Sequence, residues 1–289
     1  MQISGKTRLC CVIGDPIEHT LSPTIQNAAF EHLNLDFVFL AFKVKPSELE
    51  NAMRGIRSLG IHGMNVTMPH KKAVAKLLDA LDPTAKALSS VNTVLNRNRR
   101  LCGFNTDGIG AVSALKENGV TLSGKKALLL GAGSAAKSIA LSLAKEVEEL
   151  FILNRTLEKA TELKESIKQY LGEKVISDAL SPKAIQKYLQ NSDILINATS
   201  AGMQPNVDQN LVAPEWLRPD LTVMDIVYSP IETRLAKEAK KVGARAISGV
   251  DMLIYQGAAS FEIWTERKAP LEIMRKAASN KLANSGESK

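Results

Sequence analysis

Long apolar runs are missing from this 289-residue chain. No stretch approaches the ~18 consecutive apolar residues of a membrane span. The first residues, Met1-Gln2-Ile3-Ser4-Gly5-Lys6, hold no apolar core of a secretory signal. Both absences predict a cytoplasmic protein with no membrane partner. Cysteine is scarce: Cys10, Cys11 and Cys102 form neither a disulfide framework nor a metal-ligand spacing. Two adjacent cysteines in a predicted strand fit reduced, mostly buried thiols. The four histidines, His19, His32, His62 and His70, show no H-x-x-x-H spacing, so no metal is expected. Aromatic residues are only 4% of the chain, a poor supply for stacking on bases. The net charge is +7, but acids are interspersed with the bases along most helices. Composition argues against nucleic acid and leaves two readings: small anionic ligands, or no functional meaning for the charge.

What is present is ordinary globular chemistry, 45% hydrophobic and 23% charged, in a β/α alternation. The length suits two α/β domains. Arg8 to Gly14 is predicted as a strand, and Ser22-Pro23 as serine N-cap and first-turn proline of a helix to about Leu33. A strand over 37–44, a helix from Pro46 to near Gly60 and a strand over 61–66 follow. Lys71 to Ala80 is predicted helical, and Val91–Leu95 with Leu101–Phe104 form a hairpin. After a helix at 109–118 a second series begins, with strands over 127–130, 150–153, 193–199, 221–227 and 244–247. Its helices run from after Thr156 to about Tyr170, over 182–190 and 233–242, from after Gly249-Val250-Asp251 through Trp264, and from Pro270 onward.

The second series opens on Gly131-Ala132-Gly133-Ser134-Ala135-Ala136, a G-x-G-x-x-A turn between strand and helix. Gly131 permits a sharp turn, Gly133 lets a pyrophosphate approach the backbone, and Ala136 lets helix and strand pack closely. Phosphates would then sit at the helix N-terminus, where free N–H groups and the dipole favour anions. Packing alone produces the same turn in unrelated α/β proteins. An acidic residue that would hold an NAD ribose is absent; Asn154 stands there, with Arg155 next. Thr156 is predicted as the N-cap of the following helix, and Lys159 puts a cation in its first turn, which the dipole disfavours. A bound 2′-phosphate explains that basic pair better than a Lys159 that is simply solvated, so NADP is expected over NAD.

Polar side chains cluster where predicted strands end: Thr20, Ser22, Asn65, Thr67, Asn92, Asn105 and Asp107. Such ends take ligands in open α/β sheets. Each has a structural alternative: Ser22 as an N-cap, Asn92 and Asn105 as turn residues, Asp107 as a helix cap, Lys71 as a solvated helix residue.

Seven spaced motifs in order resemble those of the shikimate dehydrogenase family. They are Gly14-Asp15-Pro16-Ile17-Glu18-His19-Thr20-Leu21-Ser22-Pro23, Asn65-Val66-Thr67-Met68-Pro69-His70-Lys71, Val91-Asn92-Thr93, Gly103-Phe104-Asn105-Thr106-Asp107-Gly108, Asn154-Arg155-Thr156, Asn197-Ala198-Thr199-Ser200 and Met252-Leu253-Ile254-Tyr255-Gln256. The resemblance implies reversible NADP-dependent reduction of 3-dehydroshikimate to shikimate, a small-molecule substrate, in aromatic amino-acid biosynthesis. It implies Lys71 and Asp107 as the catalytic pair. Thr20 and Ser22 match the carboxylate-binding hydroxyls, and Asn65, Thr67, Asn92 and Gln256 the ring-oxygen contacts. Tyr228 matches a residue near carboxylate and nicotinamide, and Thr199 and Gly249 match positions lining the cofactor.

If Gln256 reaches the substrate, its helix returns to the first domain. The expected organisation is then α/β in two domains. Residues 1–107 form a substrate domain on which 250–289 pack back, 108–249 a Rossmann-type dinucleotide-binding domain, and the active site is the cleft between them. Thr20 stands where serine is usual, His70 where an aromatic is common and Lys72 where glutamate is common. Thr20 leaves quinate or dual quinate/shikimate activity as an alternative, and a non-catalytic NADP sensor is the alternative from another class. Monomer and homodimer both stay open.

Overall fold

The computed structural model describes residues 3–286. The chain divides into two compact units, one from the described parts of Met1–Thr106 and Ile254–Lys289, the other from Asp107–Leu253.

The first unit contains β1 (Arg8–Gly14), α1 (Ser22–His32), β2 (Phe37–Lys43), α2 (Leu49–Ser58), β3 (Gly63–Val66), α3 (Lys71–Ala75), β4 (Ala80–Leu81), α4 (Pro83–Leu88), β5 (Thr93–Arg97) and β6 (Arg100–Phe104). Its sheet has the order β2-β1-β3-β5-β6-β4, with β5 antiparallel to both neighbours. The β5–β6 turn places Asn98 and Arg99 at φ +52° and +67°, the left-handed pair that matches the twist of a two-residue hairpin. Beneath β1 and β3 the α2 side of the core gathers Ile13, Met53, Ile56, Met64 and Val66.

The second unit contains α5 (Asp107–Glu117), β7 (Lys126–Leu130), α6 (Ser134–Leu143), β8 (Glu149–Asn154), α7 (Leu157–Leu171), β9 (Val175–Ala179), α8 (Pro182–Leu189), β10 (Ile194–Asn197), β11 (Thr222–Asp225), α9 (Arg234–Lys241) and β12 (Arg245–Ser248). The sheet is wholly parallel, in the order β12-β11-β10-β7-β8-β9. Helices cover both faces of such a sheet, so its central strands read as continuous apolar runs. Leu128, Leu129 and Leu130 are all fully buried. Gly108 lets α5 lie close on α6: a Cβ there would sit 2.2 Å from the Ser138 carbonyl oxygen.

Two helices close the chain, α10 (Gly249–Thr265) and α11 (Leu271–Gly286), and the boundary between units falls inside α10. Within the first unit, α11 packs on α1, Phe261 stacks on Phe30 and Phe30 on Phe37. Trp264 lies over Gly63, where a Cβ would be 2.6 Å from the indole, and its Nε1 donates to Val94 O.

Several sequence expectations are corrected. The predicted helix from Lys71 to Ala80 ends at Ala75, and Ala80 starts β4. Helix α4 was signalled by Asp82-Pro83: the Asp82 carboxylate accepts from the N–H groups of Thr84 and Ala85. Strand β9 gave no signal, because an edge strand with one buried residue shows no clear alternation. Helix α1 begins at Ser22 with Leu21 as its N-cap, so the Ser22 side chain does no capping.

His62 joins β3 to the end of α10, its Nε2 lying 2.8 Å from Trp264 O. A carbonyl only accepts, so the neutral ring keeps its proton on Nε2. Burial holds the imidazole below its ordinary pKa; the Trp264 carbonyl opposes this, and the Arg8 and Arg97 guanidiniums add to it. Arg97 is itself paired with Glu266. The unfolded chain therefore binds the proton more readily, and stability present above the unfolded pKa is lost as pH falls through the folded one. Denaturant midpoints should fall from about pH 7 to pH 5, and His62→Gln should flatten that slope.

Candidate active-site residues in each unit

The strands of the second unit end in step. Leu130 is paired with Leu153 and Asn197, Asn197 with Asp225, and Asp225 with Ser248. The following loops therefore leave along one edge of the sheet. Neighbours β7 and β10 mark the reversal of strand order, where open α/β sheets take ligands.

Gly131 leaves β7 at φ +112°, and a Cβ on it would lie 2.8 Å from Ala198 O. Gly133 is the N-cap of α6, and no side chain caps that helix. A Cβ on Gly133 would meet nothing within 4 Å, so protein packing does not demand this glycine. Ala132 and Ala136 are buried, while Ser134 and Ala135 are half-buried. Asn154 ties this turn to the end of β8: its Oδ1 accepts from Ala132 N–H at 3.1 Å and its Nδ2 donates to Thr156 O at 2.8 Å. Thr156 occupies the N-cap position of α7, but its hydroxyl makes no capping bond, which corrects the expected cap. Arg155 and Lys159 are exposed, and neither makes an ion pair among the described residues. An uncapped helix N-terminus, open space at Gly133 and two uncommitted cations after β8 fit a dinucleotide with an additional phosphate.

Other expected cofactor positions have structural duties. The Thr199 hydroxyl donates to Asn197 Oδ1 at 2.7 Å and accepts from Ala201 N–H at 3.1 Å. Gly249 is required by packing, since a Cβ there would sit 2.4 Å from Ile226 O. Tyr228, half-buried after β11, has its hydroxyl pKa raised by burial. Burial also pushes the Asp225 carboxyl up, against the bonds it accepts from Thr233, Val227 and Asn197.

In the first unit Ile13 pairs with Val66, Asn65 with Thr93, and Thr93 with Phe104. Because β5 is reversed, its start shares an edge with the ends of β1, β3 and β6. The residues on that edge are Thr20 and Ser22 after β1, Thr67 and Lys71 after β3, Asn92 before β5 and Asn105 after β6. The Thr20 hydroxyl donates to Ser22 Oγ at 3.2 Å and accepts from the Ser22 N–H. A Cβ on Gly14 would lie 2.4 Å from the Thr67 methyl, so the loops after β1 and β3 touch. Lys71, half-buried at the start of α3, accepts from Val91 N–H at 2.9 Å through its carbonyl.

Asn65, Asn92 and Gln256 come together in one buried polar cluster. Asn65 Nδ2 donates to Asn92 O at 3.1 Å, and Asn92 Nδ2 reaches Thr106 Oγ1 at 2.9 Å and Gln256 Oε1 at 3.4 Å. Asn105 is spent on Ser90 O at 2.9 Å. Asp107 is buried and opens α5. The cluster also holds Thr93, Thr106 and Ser260, which sequence reasoning did not single out. Ser260 could have been found one helical turn beyond Gln256.

Residues 12–94 match the family described as shikimate dehydrogenase substrate binding domain, residues 113–237 that described as shikimate / quinate 5-dehydrogenase, and residues 249–278 that described as shikimate 5'-dehydrogenase C-terminal domain. The shikimate dehydrogenase (NADP(+)) of Methanopyrus kandleri is 45% identical over 280 residues, 96% of this chain and 97% of that protein. A crystal structure of shikimate dehydrogenase in complex with NADP+ gives a TM-score of 0.92 at 43% identity, covering 97% of this chain and 98% of its own. Shikimate 5-dehydrogenase from Listeria monocytogenes, solved with shikimate and NAD, gives 0.91 at 38% identity, covering 96% and 98%.

The two glycines of the turn should respond differently to alanine. Gly131→Ala should cost about 1–3 kcal/mol of stability through strain and the clash with Ala198 O. Gly133→Ala should melt within about 0.5 kcal/mol of the parent yet bind a dinucleotide more weakly. Thermal melts with cofactor titrations check both.

Proposed function

The chain belongs to the shikimate dehydrogenase family, and from that premise we infer that it catalyses the reversible NADPH-dependent reduction of 3-dehydroshikimate to shikimate. The observation that carries this is 45% identity to an NADP-dependent shikimate dehydrogenase across 96% of the chain.

The bound cofactor supplies the hydride, or takes it back, at its nicotinamide. The chain's part is to bind, orient and move a proton. Gly131 to Ala136 hold the pyrophosphate on the α6 N-terminus, and Asn154, Arg155, Thr156 and Lys159 hold the adenosine end. Arg155 and Lys159 are the cations for the 2′-phosphate, and Thr199 and Gly249 shape the loops beside the cofactor. Thr20 and Ser22 take the substrate carboxylate, with Tyr228 also assigned to it. Asn65, Thr67, Asn92 and Gln256 take the ring oxygens. A site that hydrogen-bonds each oxygen rejects analogues lacking one. Lys71 and Asp107 are assigned the proton transfer: reduction leaves alkoxide character on the former ketone oxygen, and an ammonium can neutralise it by giving up a proton. A cytoplasmic location, and a monomer or homodimer, belong to the same reading.

A second reading, activity on quinate, is left open by one residue. Thr20 adds a methyl where the family usually has serine, beside the hydroxyl assigned to the carboxylate.

Lys71→Ala should lower kcat by about 10²- to 10⁴-fold while NADP affinity stays near that of the parent. Unchanged turnover removes lysine from the mechanism. The double variant Arg155→Ala, Lys159→Ala should raise the KM for NADP by about 100-fold and that for NAD far less. Equal increases would contradict the 2′-phosphate assignment.

A further inference from the structure

Resting on the assigned substrate site, we propose that Thr93 and Ser260 are positioning residues that turn the Asn65 carboxamide with its oxygen, not its nitrogen, toward the substrate. Asn65 then reads the hydrogen of a ring hydroxyl.

The orientation follows from groups that have no choice. Asn92 O is a backbone carbonyl and can only accept, so the Asn65 atom 3.1 Å from it is Nδ2. That nitrogen also lies 3.2 Å from Thr93 Oγ1 and 3.0 Å from Ser260 Oγ. Two amide protons face three acceptors, so the nitrogen is used up inside the unit. Asn65 Oδ1 accepts no hydrogen bond among the described residues and is not among the fully buried unpaired atoms. Yet Asn65 as a whole is only 6% exposed. An open acceptor on so enclosed a side chain points to a ligand donor.

Asn92 has the opposite polarity. Thr106 N–H can only donate, so the Asn92 atom 2.8 Å away is Oδ1, and Nδ2 faces Gln256 Oε1. The hydroxyls lock this arrangement. Thr93 Oγ1 lies 3.0 Å from Asn92 Oδ1, Ser260 Oγ lies 3.0 Å from Gln256 O, and the two hydroxyl oxygens are 2.7 Å apart; each has one proton, so one donates across that contact and the other to its own carbonyl acceptor. Whichever hydroxyl donates across that contact, both keep a lone pair for Asn65. Both residues are fully buried, so water cannot replace a lost hydroxyl without a cavity.

The test uses the unmutated chain first, with shikimate and analogues in which each of the two ring hydroxyls that are not oxidised is replaced in turn by hydrogen or by fluorine. Fluorine keeps an electronegative atom but brings no hydrogen. At one ring position both replacements should lower kcat/KM together, by about tenfold to hundredfold. Fluoro analogues that match shikimate at every position overturn the proposal. In variants, Thr93→Val and Ser260→Ala should each raise the KM for shikimate about tenfold, with kcat and the KM for NADP nearly unchanged, and Thr93→Ser should restore the parent value. Valine and serine variants that behave alike overturn it as well. Normal turnover of shikimate with either contrary result refutes this proposal alone; no turnover of shikimate by the parent chain refutes the assigned activity and this proposal with it.

Discussion

Parallel pairing in register is the constraint on which the rest depends. In the second unit it makes β7, β8, β10, β11 and β12 finish beside one another. Every loop that follows is delivered to one edge. In the first unit the reversed β5 achieves the same with its start. The strands themselves are left free to be apolar, as Leu128 to Leu130 are. Most of the candidate polar residues lie just past the strand ends, while Asn65 is paired with Thr93 within the sheet and Gln256 comes from α10.

Along those edges the side chains divide by whether their hydrogen bonds are already spent. Thr199, Asn154 and Asn105 are committed to their own loops and fix backbone shape. Arg155, Lys159 and Asn65 Oδ1 have no such partner among the described residues. In the proposed function this second group takes the 2′-phosphate and one ring hydroxyl, and the first group shapes the loops around them. Burial sharpens the division, because a polar atom withdrawn from water must find a partner or cost free energy. The interlocked hydroxyls of Thr93 and Ser260 show how a committed group decides what an uncommitted one presents.

The α/β class was legible because apolar runs and glycine turns alternate along the chain. The glycine turn and the missing acid at Asn154 were legible because each is a local departure from the sequence around it. The three-dimensional duty of a polar residue was not. Nothing local says that Thr93, Thr106 and Ser260 meet around Asn65 and Asn92, since the contacts join β3, β5 and α10. Ser22 and Thr156 misled in the same way: both have the residue type of an N-cap, but helix α1 starts one residue early and the Thr156 hydroxyl makes no cap. Lys71 illustrates the limit, because spacing alone leaves it a solvated helix residue and only the family resemblance assigns it chemistry.

The central claim is an oxidoreductase that joins NADP to shikimate, and the most direct measurement follows NADPH absorbance with the purified chain, NADP+ and either shikimate or quinate. Steady reduction of NADP+ with shikimate, and a much lower kcat/KM with quinate, is the result expected. NADP+ bound by the chain but reduced with neither acid would contradict it.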